Sequence, residues 1–337
     1  MVISSFRINP YNGIIYSTAG SANVDNNNWP AQNMKQKMKP GTLIILALIC
    51  CITLGYKKKE VPPGSLKSCF TCDIVPEGTI FCDDFESEAS LKDRYFEYDD
   101  NGGDFIRLSN VGRDSSAGIR AIWQPGESSA GSLKKSFGRT PDEYIGTHAT
   151  FPEKQFAEIY WRIDMKRQAG WEGEGADKLT RATVFAGPGW SQGMMAHIWS
   201  ADNFLVLDPA SGIDENGRLK STKYNDFDNL RWLGSKKGTT DLFSKANADK
   251  WFCIITHVKL NTPGLSDGVF EFWIDDKFQA GSYHLNWHGK WNADSNNYMI
   301  NAVLFENYWN KGSPKLQERY FDNILISSKP IKCNCTE

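Results

Sequence analysis

The sequence predicts an all-β fold, an antiparallel β-sandwich formed by one large domain. Eleven short runs of alternating or apolar character are separated by clusters of Gly, Asn, Asp and Pro, the rhythm of strands and turns. No span carries an amphipathic helix longer than about three turns. Two β-type runs bracket the strand-rich region, and each holds a carboxylate: Cys82-Asp83-Asp84-Phe85-Glu86-Ser87 and Tyr320-Phe321-Asp322-Asn323-Ile324-Leu325-Ile326-Ser327.

The runs fall at 79–85, 105–108, 119–123, 157–165, 182–186, 194–199, 204–207, 251–260, 269–274, 298–305 and 320–327. Turn clusters such as Asp100-Asn101-Gly102-Gly103, Asp214-Glu215-Asn216-Gly217 and Asn261-Thr262-Pro263-Gly264 lie between them. The hairpin at 251–275 sets the facing. Phe252, Ile254, Val258 and Leu260 alternate on one strand, with Phe270, Phe272 and Ile274 on its partner, so these share a core face. His257, Lys259, Glu271 and Trp273 then occupy the opposite face as solvated or cross-strand paired groups. Residues 208–250 break the rhythm with a long polar stretch, the kind of segment that often serves function.

Composition narrows the class. A net charge of −2 argues against a nucleic-acid partner. The 12 Trp, 12 Tyr and 29 Gly suit strands and turns, and exposed aromatic rings offer flat faces for sugar stacking. Neither an internal repeat nor a Walker or dinucleotide-binding pattern occurs. The expected organisation is an N-terminal extension with a signal or anchor segment (1–55), a linker (56–77), the β domain (78–330) and a Cys-containing tail (331–337).

The N-terminal segment reads as an export signal. Lys35, Lys37 and Lys39 precede an apolar run at 43–54, too short to span a bilayer comfortably, and Lys57-Lys58-Lys59 follows. Translation is expected to start at Met34 or Met38, with cleavage after Gly55 or lipidation at Cys50 or Cys51. A secreted or surface-held monomer is expected, with any membrane anchoring confined to this segment. Six cysteines lie beyond it: Cys69, Cys72, Cys82, Cys253, Cys333 and Cys335. In an oxidising compartment they are expected to form disulfides rather than a zinc site. Cys69 and Cys72 are expected near Cys333 and Cys335, with Cys253 a free buried thiol.

The segments Trp251-Phe252, His257-Val258-Lys259-Leu260-Asn261-Thr262-Pro263-Gly264 and Asp267-Gly268-Val269-Phe270-Glu271-Phe272-Trp273-Ile274-Asp275 resemble the β-jelly-roll polysaccharide lyases, namely alginate and glucuronan lyases of families fourteen and twenty and heparin-lyase-like proteins. Phe305-Glu306-Asn307-Tyr308-Trp309 and Tyr320-Phe321-Asp322-Asn323 resemble their closing strands. Glu158-Ile159-Tyr160-Trp161-Arg162 and Asp177-Lys178-Leu179 resemble their cleft-lining segments. The likeness spans roughly residues 80–328 and implies a concanavalin A-like jelly roll whose first and last strands lie side by side.

Lyase chemistry on a uronic-acid polymer needs a cation or amide to neutralise the carboxylate, a base for the C5 proton and an acid for the leaving oxygen. The resemblance points to Lys178 for the carboxylate or leaving group, with His197, Tyr160 and Arg162 as further catalytic candidates. By period-two alternation Arg181 falls on the face opposite Lys178. Trp199, Tyr224, Arg231, Trp232 and Asn307 are the candidate substrate contacts. The Tyr-x-Tyr pair of family fourteen is missing after Lys178, which leaves a His/Tyr arrangement closer to the glucuronan lyases. A non-catalytic glycan-binding surface protein is the alternative. A glycoside hydrolase ranks last, since the Glu-x-Asp-x-x-Glu signature of glucanases is missing. The resemblance also implies a structural calcium, with Asp322 and Glu86 as ligands and Asp114 or Ser116 as further oxygens.

Overall fold

The computed structural model describes residues 70–333, apart from 176, 215 and 288–297. The segment expected to direct export, most of the linker, Cys69 and Cys335 lie outside the described residues. Among the described residues, no helix is long and apolar enough to cross a membrane.

Two antiparallel sheets form a sandwich. Numbering strands along the chain, sheet I holds β1 (Thr79–Asp83), β3 (Phe105–Leu108), β4 (Gly118–Trp123), β6 (Glu158–Arg167), β12 (Trp251–Lys259), β13 (Gly268–Ile274), β14 (Lys277–Leu285) and β16 (Gln317–Ser327). Sheet II holds β2 (Glu97–Asp99), β5 (Ser129–Ser136), β7 (Lys178–Gly187), β8 (Ser191–Ala201), β9 (Phe204–Ser211), β10 (Arg231–Trp232), β11 (Lys236–Lys237) and β15 (Ala302–Tyr308). The orders are β14-β13-β12-β6-β16-β4-β3 and β10-β9-β8-β7-β15-β5-β2, with β1 paired to β16 and β11 to β9. The first and last strands lie side by side, Cys82 opposite Leu325 and Asp83 opposite Ile324. This is the expected all-β jelly-roll sandwich.

Strand alternation packs the space between the sheets. From sheet I it sends in Ile159, Trp161, Ile163 and Met165, with Ile254, Val258, Phe270 and Phe272. From sheet II it sends in Leu179, Ala182, Val184, Ile198, Leu207, Val303 and Phe305. Polar groups that enter this core find partners. The Trp161 indole donates to Thr180 Oγ1 at 3.0 Å, joining the two sheets. Arg319 of β16 is fully buried. Its guanidinium donates to the carbonyls of Gly175, Lys178 and Glu306 at 3.3, 3.1 and 3.1 Å, and to Asn307 Oδ1 at 2.7 Å. Lys178 and Glu306 both stand at register breaks of sheet II. A bulge leaves backbone carbonyls without a ladder partner, and here one cation satisfies both.

The join between chain ends carries a second polar network. A bulge in β16 after Asp322 places Asn323 at φ 53 and turns both side chains outward. Asp322 accepts hydrogen bonds from the backbone N–H of Arg113 at 2.7 Å and of Asn323 at 2.7 Å, and from Ser116 Oγ at 2.9 Å. Glu86 accepts from the Ala117 N–H at 2.7 Å. Asp164, opposite Asp322, is gripped by two Arg162 hydrogen bonds of 2.9 Å each and by Arg113 at 3.1 Å.

The cysteines differ from expectation. Cys72 pairs with Cys82, and Cys253 pairs with Cys333, so Cys253 is no free thiol and Cys72 does not reach the tail cysteine. The reason is facing: Cys253 lies on the outer side of sheet I, where the tail crosses, instead of inside the sandwich. Loop-closure entropy gives these bonds different weights. The Cys253–Cys333 bond closes a separation of 80 residues and Cys72–Cys82 one of 10. Replacing each pair by serine is expected to cost roughly 4.5 and 2.7 kcal/mol respectively. Chemical denaturation under non-reducing conditions checks the order, and a digest without reductant should yield these two linked peptides.

Candidate functional site

The functional candidates separate onto opposite outer faces of the sandwich. On sheet II, alternation along β7 is interrupted between Lys178 and Thr180, so Leu179 and Thr180 both turn inward. That extra residue brings Lys178 to the outer face together with Arg181, correcting the period-two expectation that set them on opposite faces. On β15 ordinary alternation turns Glu306 and Tyr308 outward beside Lys178, with Phe305 and Asn307 inward.

Arg181 lies at the centre and is fully buried. It forms an ion pair with Glu306 at 3.0 Å, donates to Asn225 Oδ1 at 2.8 Å, and contacts His197 Nε2 at 3.3 Å. It also donates to the Tyr224 hydroxyl, which in turn reaches Glu306 Oε1 at 3.3 Å. Arginine has no acceptor, so His197 meets it through an unprotonated Nε2 and carries its proton on Nδ1. The 208–250 stretch supplies the cover. Tyr224 and Asn225 are held there by hydrogen bonds from Tyr224 N to Gly189 O and from Asn225 N to Gln192 Oε1.

Charge explains the protonation states. Burial alone would raise the Glu306 carboxyl, but Arg181, Lys178 and Lys134 outweigh it and hold the group below its usual value. Burial, with Arg181 and Lys178 adding, keeps His197 well below the ordinary histidine value, so the ring is neutral at physiological pH. Burial pulls Lys134 down to about 8 and lowers Lys178, while Glu306 holds both up. The Lys178 ammonium lies 5.0 Å from the centre of the Tyr308 ring. Tyr308 is 41% exposed.

A stack of aromatic rings adjoins this cluster. Trp199 stacks on Trp232 with ring centres 5.8 Å apart, Phe227 stacks on Trp232 at 6.2 Å, and His197 meets Trp199 edge-on at 4.5 Å. Asp208 pairs across the ladder with His197. Burial pushes its carboxyl up to about 6, against a hydrogen bond from the Trp199 side chain.

The predicted residues therefore divide. Lys178, His197, Trp199, Tyr224 and Trp232 come together on the outer face of sheet II. Tyr160 and Arg162 do not join them, because alternation along β6 turns both to the outer face of sheet I. Tyr160 stacks there on His257, and Arg162 is committed to Asp164. Arg231 alternates with Trp232 and turns away to donate to the Asn286 carbonyl. Asn307 points into the core, where its amide serves Arg319 and Gly131. Arg181, Glu306, Lys134 and Asp208 were not among the predicted site residues. The apolar spacing of Leu179, Ala182 and Val184, three and then two, is the signal that would have exposed the bulge.

The expected calcium ligands are tied to one turn, though among the described residues no group of three or more carboxylate, histidine or cysteine side chains is placed to hold a metal ion. Glu86, Ser116 and Asp322 meet on the turn from Gly112 to Ala117, and Asp114 lies on that turn at φ 56. All are oxygen donors of the kind calcium takes. Burial pushes Asp322 up to about 7, opposed by its three donors and assisted by the neighbouring Asp164 carboxylate. A buried carboxylate short of countercharge fits a cation.

No protein-family model matches the chain, and no curated protein sequence matches it. Among solved structures the chain is similar to an endo-β-1,4-glucuronan lyase from the fungus Trichoderma reesei, at 12% identity over 75% of this chain and 92% of that one, with a TM-score of 0.46. It is similar to an alginate lyase from a Chlorella virus, at 14% identity over 68% and 98% of the two chains, TM-score 0.45. A cellulose-induced protein matches at 15% identity over 75% and 100%, TM-score 0.39.

The ion pair at the centre gives a direct test. Glu306→Gln keeps the shape but leaves buried Arg181 without its carboxylate, so stability should fall by about 3 kcal/mol or more. The midpoint of urea unfolding measures it.

Proposed function

We propose that this chain is a carbohydrate-active jelly roll that takes a uronate-containing polysaccharide on the outer face of sheet II and cleaves it by β-elimination. The observation that carries the reading is a neutral imidazole, His197, held beside the cations Arg181 and Lys178 next to the Trp199–Trp232 stack. In this reading a sugar ring lies on the indoles and Lys178 neutralises its carboxylate, which acidifies the C5 proton. His197 Nε2 is the base. Lys178 or the exposed Tyr308 hydroxyl protonates the leaving oxygen. Two disulfides suit a secreted or surface setting.

A second reading has its own support. His197 is only 2% exposed and its Nε2 already faces Arg181, an arrangement that suits holding a glycan without cutting it. Incubation with alginate, glucuronan, hyaluronan and heparin, following absorbance of the unsaturated product, separates the two. Cleavage of one polymer that disappears in Lys178→Ala supports the lyase. Binding without product supports the holding role.

Either reading shares a pH dependence. Asp208 loses its proton as pH rises through about 6, adding a negative charge beside the aromatic stack. Affinity for an anionic oligosaccharide should therefore fall across that interval, and Asp208→Asn should flatten the profile. Titration calorimetry from pH 5 to 8 measures both.

We also propose a structural calcium held by Glu86, Asp322 and Ser116. Without a cation, the raised value of Asp322 contributes stability that is complete below about pH 4 and is lost as pH rises through about 7. A chelator should therefore lower the melting temperature more at pH 8 than at pH 5, and Asp322→Ala should abolish the response. A melting curve unmoved by chelator at pH 8 would reject the ion.

A further inference from the structure

Sheet I carries a separate feature on its own outer face. Three adjacent strands bring Tyr160, His257 and Glu271 into one row, and two of them bring Ile255 and Trp273 into the next. The tail crosses above them. Its path is fixed by the Cys253–Cys333 bond, by Cys333 N donating to Asp276 at 2.8 Å, and by Arg162 donating to the carbonyls of Lys332 and Cys333. Between tail and sheet lies a cavity of about 470 Å³ lined by Tyr160, Ile255, Trp273, Asp276, Ile331 and Lys332, with Pro330 at its edge. Small-ligand sites fall within roughly 300–1,000 Å³.

The walls of this cavity are held in place. Tyr160 stacks on His257 with centres 4.2 Å apart and planes within 5°. His257 is itself fixed from both sides, by Glu158 at 2.8 Å and Glu271 at 2.9 Å. Tyr283 adds a 2.6 Å hydrogen bond to Glu271. Trp273 is held edge-on to Phe278 at 5.8 Å. A ring already held in its binding position loses little freedom when a ligand arrives. The polar equipment is sparse: the Tyr160 hydroxyl, the Asp276 carboxylate and the Lys332 ammonium.

We infer that this cavity is a second saccharide site, specific for a neutral sugar ring and separate from the cationic face of sheet II. Two aromatic walls and the Ile255 floor suit the C–H faces of a pyranose, while Asp276 and Lys332 suit its hydroxyls. Charge selects the class. The lining carries one carboxylate, Asp276, and one ammonium, Lys332, so it holds no excess positive charge to draw a uronate, and a neutral hexose or pentose suits it. The inference stands whether or not sheet II cleaves a polymer.

The test is titration calorimetry of the full chain, disulfides intact, with cellohexaose, xylohexaose, mannohexaose and laminarihexaose. At least one should bind, and Trp273→Ala should weaken it by about tenfold or more. Ile331→Trp, which fills the cavity from the tail side while leaving Tyr160 and Trp273 themselves unchanged, should weaken it similarly. Melting curves confirm that each variant is folded. Failure of all four sugars to bind overturns the site. So does binding that survives both substitutions, or that is lost on Trp199→Ala instead.

Discussion

A single buried cation, Arg319, holds the arrangement of sheet II. It reaches from β16 through the core to the carbonyls of Lys178 and Glu306, the two positions where the ladders of β7 and β15 slip. Burying a guanidinium is costly, and burial, with Arg167 adding and Asp177 opposing, draws Arg319 down to about 9. The offset comes from carbonyl dipoles and the Asn307 amide. Because those carbonyls belong to bulged positions, the same hydrogen bonds that stabilise the cation stabilise the bulges. Structure and site are thus coupled through one side chain that never reaches the surface.

The outer face of sheet II follows from this. Once Lys178, Arg181 and Glu306 share a face, three cations compete for one carboxylate. His197, beside two of them and out of water, stays neutral. The outer face of sheet I takes the opposite solution, with one imidazole between two carboxylates. The sandwich therefore presents chemically different surfaces on its two sides, although both are built from polar residues alternating with the same core.

Much of the fold was legible because period-two patterning is local. The hairpin at 251–275 packs as its alternation implied, and His257 and Glu271 form the cross-strand pair expected of the opposite face. Strands lacking that pattern were invisible. β5 reads Ser-Ala-Gly-Ser-Leu-Lys-Lys-Ser, and its lysines are buried by partners that only the folded chain supplies: Glu97 for Lys134, and the carbonyls of Arg94 and His148 for Lys135. β14 is interrupted by irregular register. Residues 298–301 were read as strand, but β15 begins at Ala302. For the site, residue types were legible and faces were not. Lys178, His197, Trp199, Tyr224 and Trp232 converge, whereas Tyr160 lies a sandwich thickness away because resemblance in sequence does not state which sheet a segment joins. Asn307 and Arg231 lie off that face for a simpler reason, one residue of parity.

The bulge in β7 buffers the outer face against a change in length. Deleting Leu179 or Thr180 would leave one inward residue between Lys178 and Arg181, so the regular ladder restored would still turn both cations outward. What the deletion would remove is the slipped position whose Lys178 carbonyl receives Arg319. Its cost would therefore fall on the buried guanidinium and not on the cluster at the surface.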